Sequence, residues 1–257
     1  MTRLVRAEWT KLFTTRVWIG LVLGACAISG GFAAITTGFA GATQNGQQAG
    51  PPPVGTPEFE QQAFAVSASA SILLLILGII GMTQEYRHRT ATPTFLTTPR
   101  RGRVVVAKLL AYALAAVPIA VLVLAVGVLV VEIYAGARGA APALNADNLR
   151  TLLSAGVVLV VYAVIGVGIG ALLRNQVGAI VGSLVYLFVV EPIIGAIGAI
   201  SSAYKWLPGG AVAAITSNSQ GQGPDVLEPW QGALLLLGYG LAFALLGTFL
   251  AVRRDVV

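Results

Sequence analysis

Charge is scarce in this chain. Only 10% of its 257 residues are Asp, Glu, Lys or Arg, 56% are hydrophobic, and the mean hydropathy is +0.83. A soluble domain carries about 25% charged residues. So few charges cannot cover a water-facing surface, which excludes a soluble globular protein and leaves an integral membrane protein. Cysteine is scarcer still. Cys26 stands alone in an apolar stretch, which excludes an intramolecular disulfide and a Cys-based metal site. His88 is the only histidine; one imidazole cannot build a zinc centre, and no H-E-x-x-H occurs. No G-x-x-x-x-G-K-[ST] phosphate loop is present. Gly166-Val167-Gly168-Ile169-Gly170 is Gly-rich, but it lies mid-run, with no following Lys and no strand-turn-helix context for a dinucleotide. A nucleophilic Ser would need a base, and His88 sits among arginines away from the apolar runs. The chain is therefore read as non-catalytic. Its net charge of +6 does not point to nucleic acid, because the basic residues lie at the ends of apolar runs, where they act as topology signals.

What is present is a succession of apolar runs. Residues 2–16 precede the first. Leu4, Val5, Trp9, Leu12 and Phe13 share one helical face, with Arg3, Arg6 and Lys11 around the opposite side. This predicts an amphipathic helix in the membrane interface, an unstructured basic tail being the alternative. The apolar run that follows exceeds the ~7–15 residues of a signal peptide, so none is expected. Six spans follow, at about 17–39, 62–83, 104–134, 151–173, 177–200 and 230–252, each suited to a ~30 Å hydrocarbon core at ~1.5 Å per residue. Residues 1–257 are read as a single all-α transmembrane domain. Gly20 and Gly24 form a small-xxx-small pair that permits close helix contact. Residues 41–61, rich in Gly, Gln and Pro and without a basic residue, read as a flexible outside loop. Pro118 should kink the third span, and Arg174-Asn175-Gln176 is a tight inside turn.

The longest charged island runs from Glu85 to Lys108: Glu85-Tyr86-Arg87-His88-Arg89-Thr90, then Thr98-Pro99-Arg100-Arg101-Gly102-Arg103, closing on Lys108. It holds six of the sixteen Lys and Arg residues. An Arg-rich loop between spans stays on the cytoplasmic side. With that loop inside, the inside segments hold thirteen Lys and Arg and the outside segments three, Arg138, Arg150 and Lys205. Both termini are therefore expected in the cytoplasm.

In the fifth span, Pro192 cannot donate a backbone hydrogen bond and disfavours helical geometry at Glu191. From Val177 to Glu191 is only about 22 Å of helix at ~1.5 Å per residue, so the straight helix should bend or end there. A carboxylate at this depth needs a partner or water.

These residues carry a family likeness that covers essentially the whole chain. It resembles a permease subunit of the ABC-2 class of ATP-binding-cassette transporters. Arg6-Ala7-Glu8-Trp9-Thr10-Lys11-Leu12 with Arg16 resembles the family's interfacial connecting helix. The Glu85–Lys108 block resembles its first cytoplasmic loop, Glu191-Pro192 falls in the fifth span as in many bacterial members, and Leu207-Pro208-Gly209-Gly210 resembles the segment before the sixth. Arg89 departs from the pattern, relatives often carrying a small residue such as Gly there. Thirteen Arg against three Lys, with abundant Ala, Gly and Val, hints at a GC-rich, actinobacterial-like genome.

The resemblance implies six helices per subunit, paired as a homodimer or with a related permease in the bacterial plasma membrane. It implies separate cytoplasmic ATPase subunits that carry ATP and Mg, with no cofactor on this chain. A short helix at roughly 91–98, within the 84–103 loop, would couple ATPase closure to the spans, with Glu85, Tyr86, Arg87, Arg89, Arg100, Arg101 and Arg103 as its surface; the bland alternative is a solvated basic linker. Arg6, Trp9, Lys11 and Arg16 would serve the interfacial helix. Residues from Ile193 would form a re-entrant helix that turns near Leu207-Pro208-Gly209-Gly210, with Glu191 facing its N-terminal N–H groups. Alternatively Glu191 faces the translocation path. The cargo expected is hydrophobic or amphiphilic: a lipid, peptide antibiotic or drug. Two other classes compete. A secondary transporter or channel would place ionisable groups in its spans, and only Glu132 and Glu191 come near that; a membrane scaffold would transport nothing.

Overall fold

Apolar helices of about twenty residues or more dominate the computed structural model, which describes residues 1–44, 47–88, 101–173, 175–197, 201–216 and 227–253. Six are long and apolar enough to cross a membrane: Val17–Gly38, Pro57–Arg87, Gly102–Gly136, Ala146–Leu173, Gln176–Ala196 and Pro229–Gly247. In chain order the helices are α1 Thr2–Thr14, α2 Val17–Gly38, α3 Pro57–Ala65, α4 Ser71–Arg87, α5 Arg101–Gly136, α6 Ala146–Leu173, α7 Gln176–Val185, α8 Glu191–Ala196, α9 Ser201–Tyr204, α10 Pro208–Thr216 and α11 Pro229–Arg253. Large apolar side chains remain on the outside of the bundle, among them Leu23 and Ile35 on α2, Leu114 and Val121 on α5, Val177 on α7 and Leu241 and Leu245 on α11. Water does not tolerate an apolar surface of this extent, whereas hydrocarbon requires one. The chain is a multi-pass membrane protein.

Several boundaries differ from the sequence expectation for local chemical reasons. The second span begins at Pro57 rather than Gln62. The Thr56 side chain accepts from the Phe59 N–H at 3.3 Å, Pro57 opens the helix, and Glu58 and Glu60 lie in its first turn, all of which favour a helix N-terminus. A 3₁₀ turn, Val66–Ala70, joins α3 to α4. The fourth span begins at Ala146 rather than Thr151, with Asn145 accepting from the Asn148 N–H at 2.8 Å. Residues 41–61, expected as a flexible outside loop, carry a small hairpin, β1 Thr43–Gln44 against β2 Gln47–Gln48, and further on the Asn148 amide donates to Glu60 at 2.5 Å. The Arg138 guanidinium donates to the Thr37 and Gly38 carbonyls, which lie in the last turn of α2, where carbonyls lack the full set of intrahelical partners.

The fifth span does not end at Glu191-Pro192. The chain widens into a π turn over Tyr186–Val190, and the Glu191 N–H donates to the Tyr186 carbonyl, five residues back. The wider turn makes room ahead of a proline whose ring would otherwise crowd the carbonyl four residues before it. The helix then continues through Ala196 and stops at Ile197, which is extended.

α6 is the centre of the bundle, and its seam with α4 is the most extensive helix contact among the described residues. Glycine makes that seam possible. A Cβ on Gly166 would stand 2.1 Å from the Leu75 carbonyl oxygen, and one on Gly78 would stand 2.2 Å from that of Ala163. Two residues along, about half a turn round the helix, a Cβ on Gly168 would meet the Phe243 backbone of α11 at 2.7 Å. The Gly166–Gly170 segment is thus where two neighbouring helices approach the fourth span backbone to backbone. The Gly20/Gly24 pair plays a smaller part: a Cβ on Gly20 meets nothing, and one on Gly24 meets only the Leu73 side chain. Gly166→Val should therefore lower stability by about 1–3 kcal/mol, the usual cost of overpacking, while Gly20→Ala should leave it unchanged. Thermal unfolding of the two variants in detergent reads the difference; equal midpoints would mean that the seam relaxes without cost.

Candidate functional site

The residues singled out in the sequence gather at two places. The first lies at the end of the bundle that carries the Arg-rich loop. Glu8 and Lys11 are one turn apart on α1, Glu85 is in the last turn of α4, and Lys108 is two turns into α5. The Lys108 side chain is fully buried. Its ammonium donates to Glu8 Oε2, to the Gly81 carbonyl at 3.2 Å, and lies 3.1 Å from Glu85 Oε1. An ammonium has three N–H donors, and here each has an acceptor. Lys11 closes the ring from the half-exposed side, with Nζ 2.7 Å from Glu8 Oε1 and 2.9 Å from Glu85 Oε1. Two carboxylates face two ammonium groups, so the cluster is neutral as a whole. That neutrality and complete hydrogen bonding are the conditions under which charges can be buried at all.

Burial pulls the Lys11 ammonium down, but hydrogen bonds and attraction from Glu8 and Glu85 outweigh it and hold it above the ordinary lysine value. The stabilisation it brings is fully present at neutral pH and is lost as pH rises through that raised value.

Packing surrounds the cluster. Gly81 sits where a Cβ would fall 2.0 Å from the Tyr112 ring, and Leu12, Val105, Ala111 and Tyr112 belong to one apolar core, with Val5, Trp9, Phe13 and Tyr86 against it. Trp9, Phe13 and Trp18 form a chain of rings with 5.0 Å between successive centroids, and the Trp18 indole donates to the Phe13 carbonyl. These contacts fix the elbow between α1 and α2.

The expected site residues thus separate. Glu85 is buried and engaged with Lys11 and Lys108. Lys11, expected opposite the apolar face of α1, turns into the cluster. Arg6, Arg16, Arg87 and Arg103 are exposed, Arg87 donating to Gln176 at 3.4 Å. Arg101 opens α5. Arg89, Arg100 and the helix expected at 91–98 lie outside the described residues. Sequence reasoning missed the structural weight of Glu8 and Lys108, although a signal existed. Val104, Val105, Lys108, Ala111, Tyr112 and Ala115 are all buried, so Lys108 occupies the apolar stripe of its helix; Glu8 likewise falls between Val5 and Leu12.

The second place is Glu191, which is 3% exposed. Its Oε1 accepts from the Gly209 N–H at 2.7 Å, and the Tyr186 hydroxyl is hydrogen-bonded to it. The helix that holds it is α10, which begins at Pro208 where the sequence suggested a turn, and not one starting at Ile193. A Cβ on Gly209 would fall 2.6 Å from Glu191 Oε2, so glycine is needed for the carboxylate to reach the helix N-terminus, whose partial positive charge favours an anion. Pro192 is exposed.

Residues 4–190 match the ABC-2 family transporter protein family. The chain belongs to that family. The matched region runs from α1 through the π turn and takes in the whole charge cluster, while Glu191 and the segments C-terminal to it lie beyond the match. No curated protein matches the chain. Members of the ABC-2 family are typically non-catalytic membrane subunits, and among the described residues no group of three or more His, Cys, Asp or Glu side chains is placed to hold a metal.

Lys108→Met should destabilise this ABC-2 chain by about 3–5 kcal/mol, because it strands buried carboxylates. Lys11→Met, at a half-exposed position, should cost about 1 kcal/mol or less. Adding Glu8→Gln to Lys108→Met should recover part of the loss, since it removes one of the stranded charges. Unfolding midpoints of the three variants test this; a Lys108→Met protein as stable as the parent would show the cluster to be dispensable.

Proposed function

We propose that the chain is the membrane-spanning permease subunit of an ATP-driven exporter, which moves a hydrophobic or amphiphilic molecule using a separate cytoplasmic ABC ATPase subunit. ATP and Mg would be held by that partner. The observation that carries the reading, beside family membership, is the buried charge cluster. It ties α1 to both feet of the Arg-rich loop, Glu85 on one side and Lys108 on the other. A load applied to the loop would therefore reach α1, α4 and α5 together. That is what a subunit without a nucleotide site needs if a partner is to drive it. The exposed Arg87 and Arg103 would offer the partner a basic surface, and Arg89, Arg100 and Arg101, adjacent in sequence, would add to its charge. Glu85 would support that surface from within, as a positioning residue.

Several further features support the arrangement. Arg3 and Arg6 point away from the core while Val5, Trp9, Leu12 and Phe13 pack inwards, which suits a helix lying along the membrane interface, and the Trp9–Phe13–Trp18 rings suit the headgroup level. The charge asymmetry of thirteen to three orients the loop and both termini to the cytoplasm of a bacterial plasma membrane. Pairing with a second copy or a related permease would use part of the apolar outer face, and lipid would cover the rest. Residues 201–216 would form the re-entrant segment between the fifth and sixth spans.

Two measurements test this. In a Cys26→Ser background, an impermeant thiol reagent applied to intact cells should label a cysteine at Gln48 and leave one at His88 untouched; labelling at His88 would invert the orientation. ABC ATPases of the source genome, co-expressed one at a time, should include one that co-purifies with the chain and loses most of that recovery with Arg87→Glu plus Arg103→Glu. If the cognate ATPase is recovered equally with the double variant, the loop is a topology signal only.

A further inference from the structure

Beside Glu191 lies a cavity of about 670 Å³, bounded by α2, the stretch from Ala65 to Ile72, the fifth span and α10. This volume falls within the ~300–1,000 Å³ of small-molecule sites. The wall is apolar and aromatic, with Phe32, Tyr162, Phe188 and Tyr204 among its side chains. Phe32 and Phe188 are exposed at its mouth, as is Ser69. Among the described residues, Glu191 is the one carboxylic acid in the lining, and no Lys or Arg lines it. No ion pair to Glu191 forms among the described residues. Its hydrogen bonds come from the Gly209 N–H and the Tyr186 hydroxyl, both neutral groups. The contrast with the charge cluster is direct. There, two buried carboxylates have two ammonium groups; here, a buried carboxylate is hydrogen-bonded, carries no counter-charge and faces a cavity of ligand size.

We propose that this cavity binds an organic cation, a protonated amine or a quaternary ammonium or phosphonium group, with the cationic centre near Glu191 and the apolar body against the aromatic wall. Aromatic faces attract cations as well as apolar groups, so the tyrosines and phenylalanines serve both parts of such a molecule. A neutral amphiphile would fill the volume but leave the carboxylate without a counter-charge. Calcium and magnesium take six or more oxygen ligands, and this lining offers one carboxylate and a few hydroxyls. Glu191 keeps its hold on α10 with the ligand bound, because the Gly209 N–H occupies only one of its oxygens. The inference names the class of molecule accepted by the exporter proposed above and rests on that reading for calling the molecule a substrate.

Binding of tritiated tetraphenylphosphonium to the purified chain in lipid nanodiscs tests it, with no ATPase present. Failure to find an ATPase partner would thus leave the binding result intact, and absence of binding would leave the ATPase reading intact. The wild-type chain should bind saturably, and dodecyltrimethylammonium should compete where dodecanol does not. Glu191→Gln, which keeps an acceptor for Gly209, should weaken binding about tenfold or more, the scale of a lost charged partner. Ser69→Phe, a filling of the mouth that leaves the carboxylate in place, should weaken it comparably at an unchanged unfolding midpoint. Wild-type affinity in either variant, or equal competition by dodecanol, overturns the proposal. Displacement of the probe by millimolar calcium chloride would overturn it too, by assigning the carboxylate to an inorganic ion. Should Glu191→Gln not fold, Ser69→Phe and the competition series decide alone.

Discussion

An ammonium group with no exposure to solvent governs the architecture at one end of this protein. Removing Lys108 from water is costly unless every donor is satisfied and the charge is balanced. Those acceptors come from three places: Glu8 on α1, Glu85 at the end of α4 and the Gly81 carbonyl one turn earlier. They can converge only if α1 lies across the ends of α4 and α5 and if residue 81 has no side chain to hold Tyr112 away. The position of the first helix, the closeness of the two spans and the stance of the loop between them all follow from one buried cation.

Long spans were legible in the sequence because hydropathy sums over some twenty residues and tolerates local error. The first and third spans fall close to their expected limits. The second and fourth begin several residues early because their opening turns are polar. Thr56-Pro57-Glu58 and Asn145 cap helices efficiently, but they end an apolar run, and a boundary drawn by hydropathy stops short of a boundary drawn by capping. Local chemistry carried that information, and the threshold of an apolar window discarded it.

The charges were harder to read because each was taken as seeking water. For Arg87 and Arg103, both exposed, that reading was adequate. Glu85 and Lys108 look no different by composition; what sets them apart is that each lies on a stripe of buried positions and has a partner of opposite sign on another helix. Partnership between positions 8, 85 and 108 is a tertiary fact, invisible to a pass along the chain. Glu191 was recognised as needing a partner, and it has two, the Tyr186 hydroxyl and a backbone N–H eighteen residues on. Of the bend or end expected at Pro192, the end does not occur, because the helix continues to Ala196. Proline forbids one hydrogen bond, and a helix can answer by widening a turn as well as by ending.

The glycine seam between α4 and α6 has a mechanical meaning. Two helices whose backbones nearly touch, with carbonyl oxygens where side chains would be, cannot slide without collision. α4, α6 and the adjoining α11 are therefore held in one register. The fifth span is built otherwise: little of it is buried, it contains a widened turn, and it is fastened through a single carboxylate to a short helix. The fifth span is the least buried of the six and so the one whose position the packing of the described bundle restricts least.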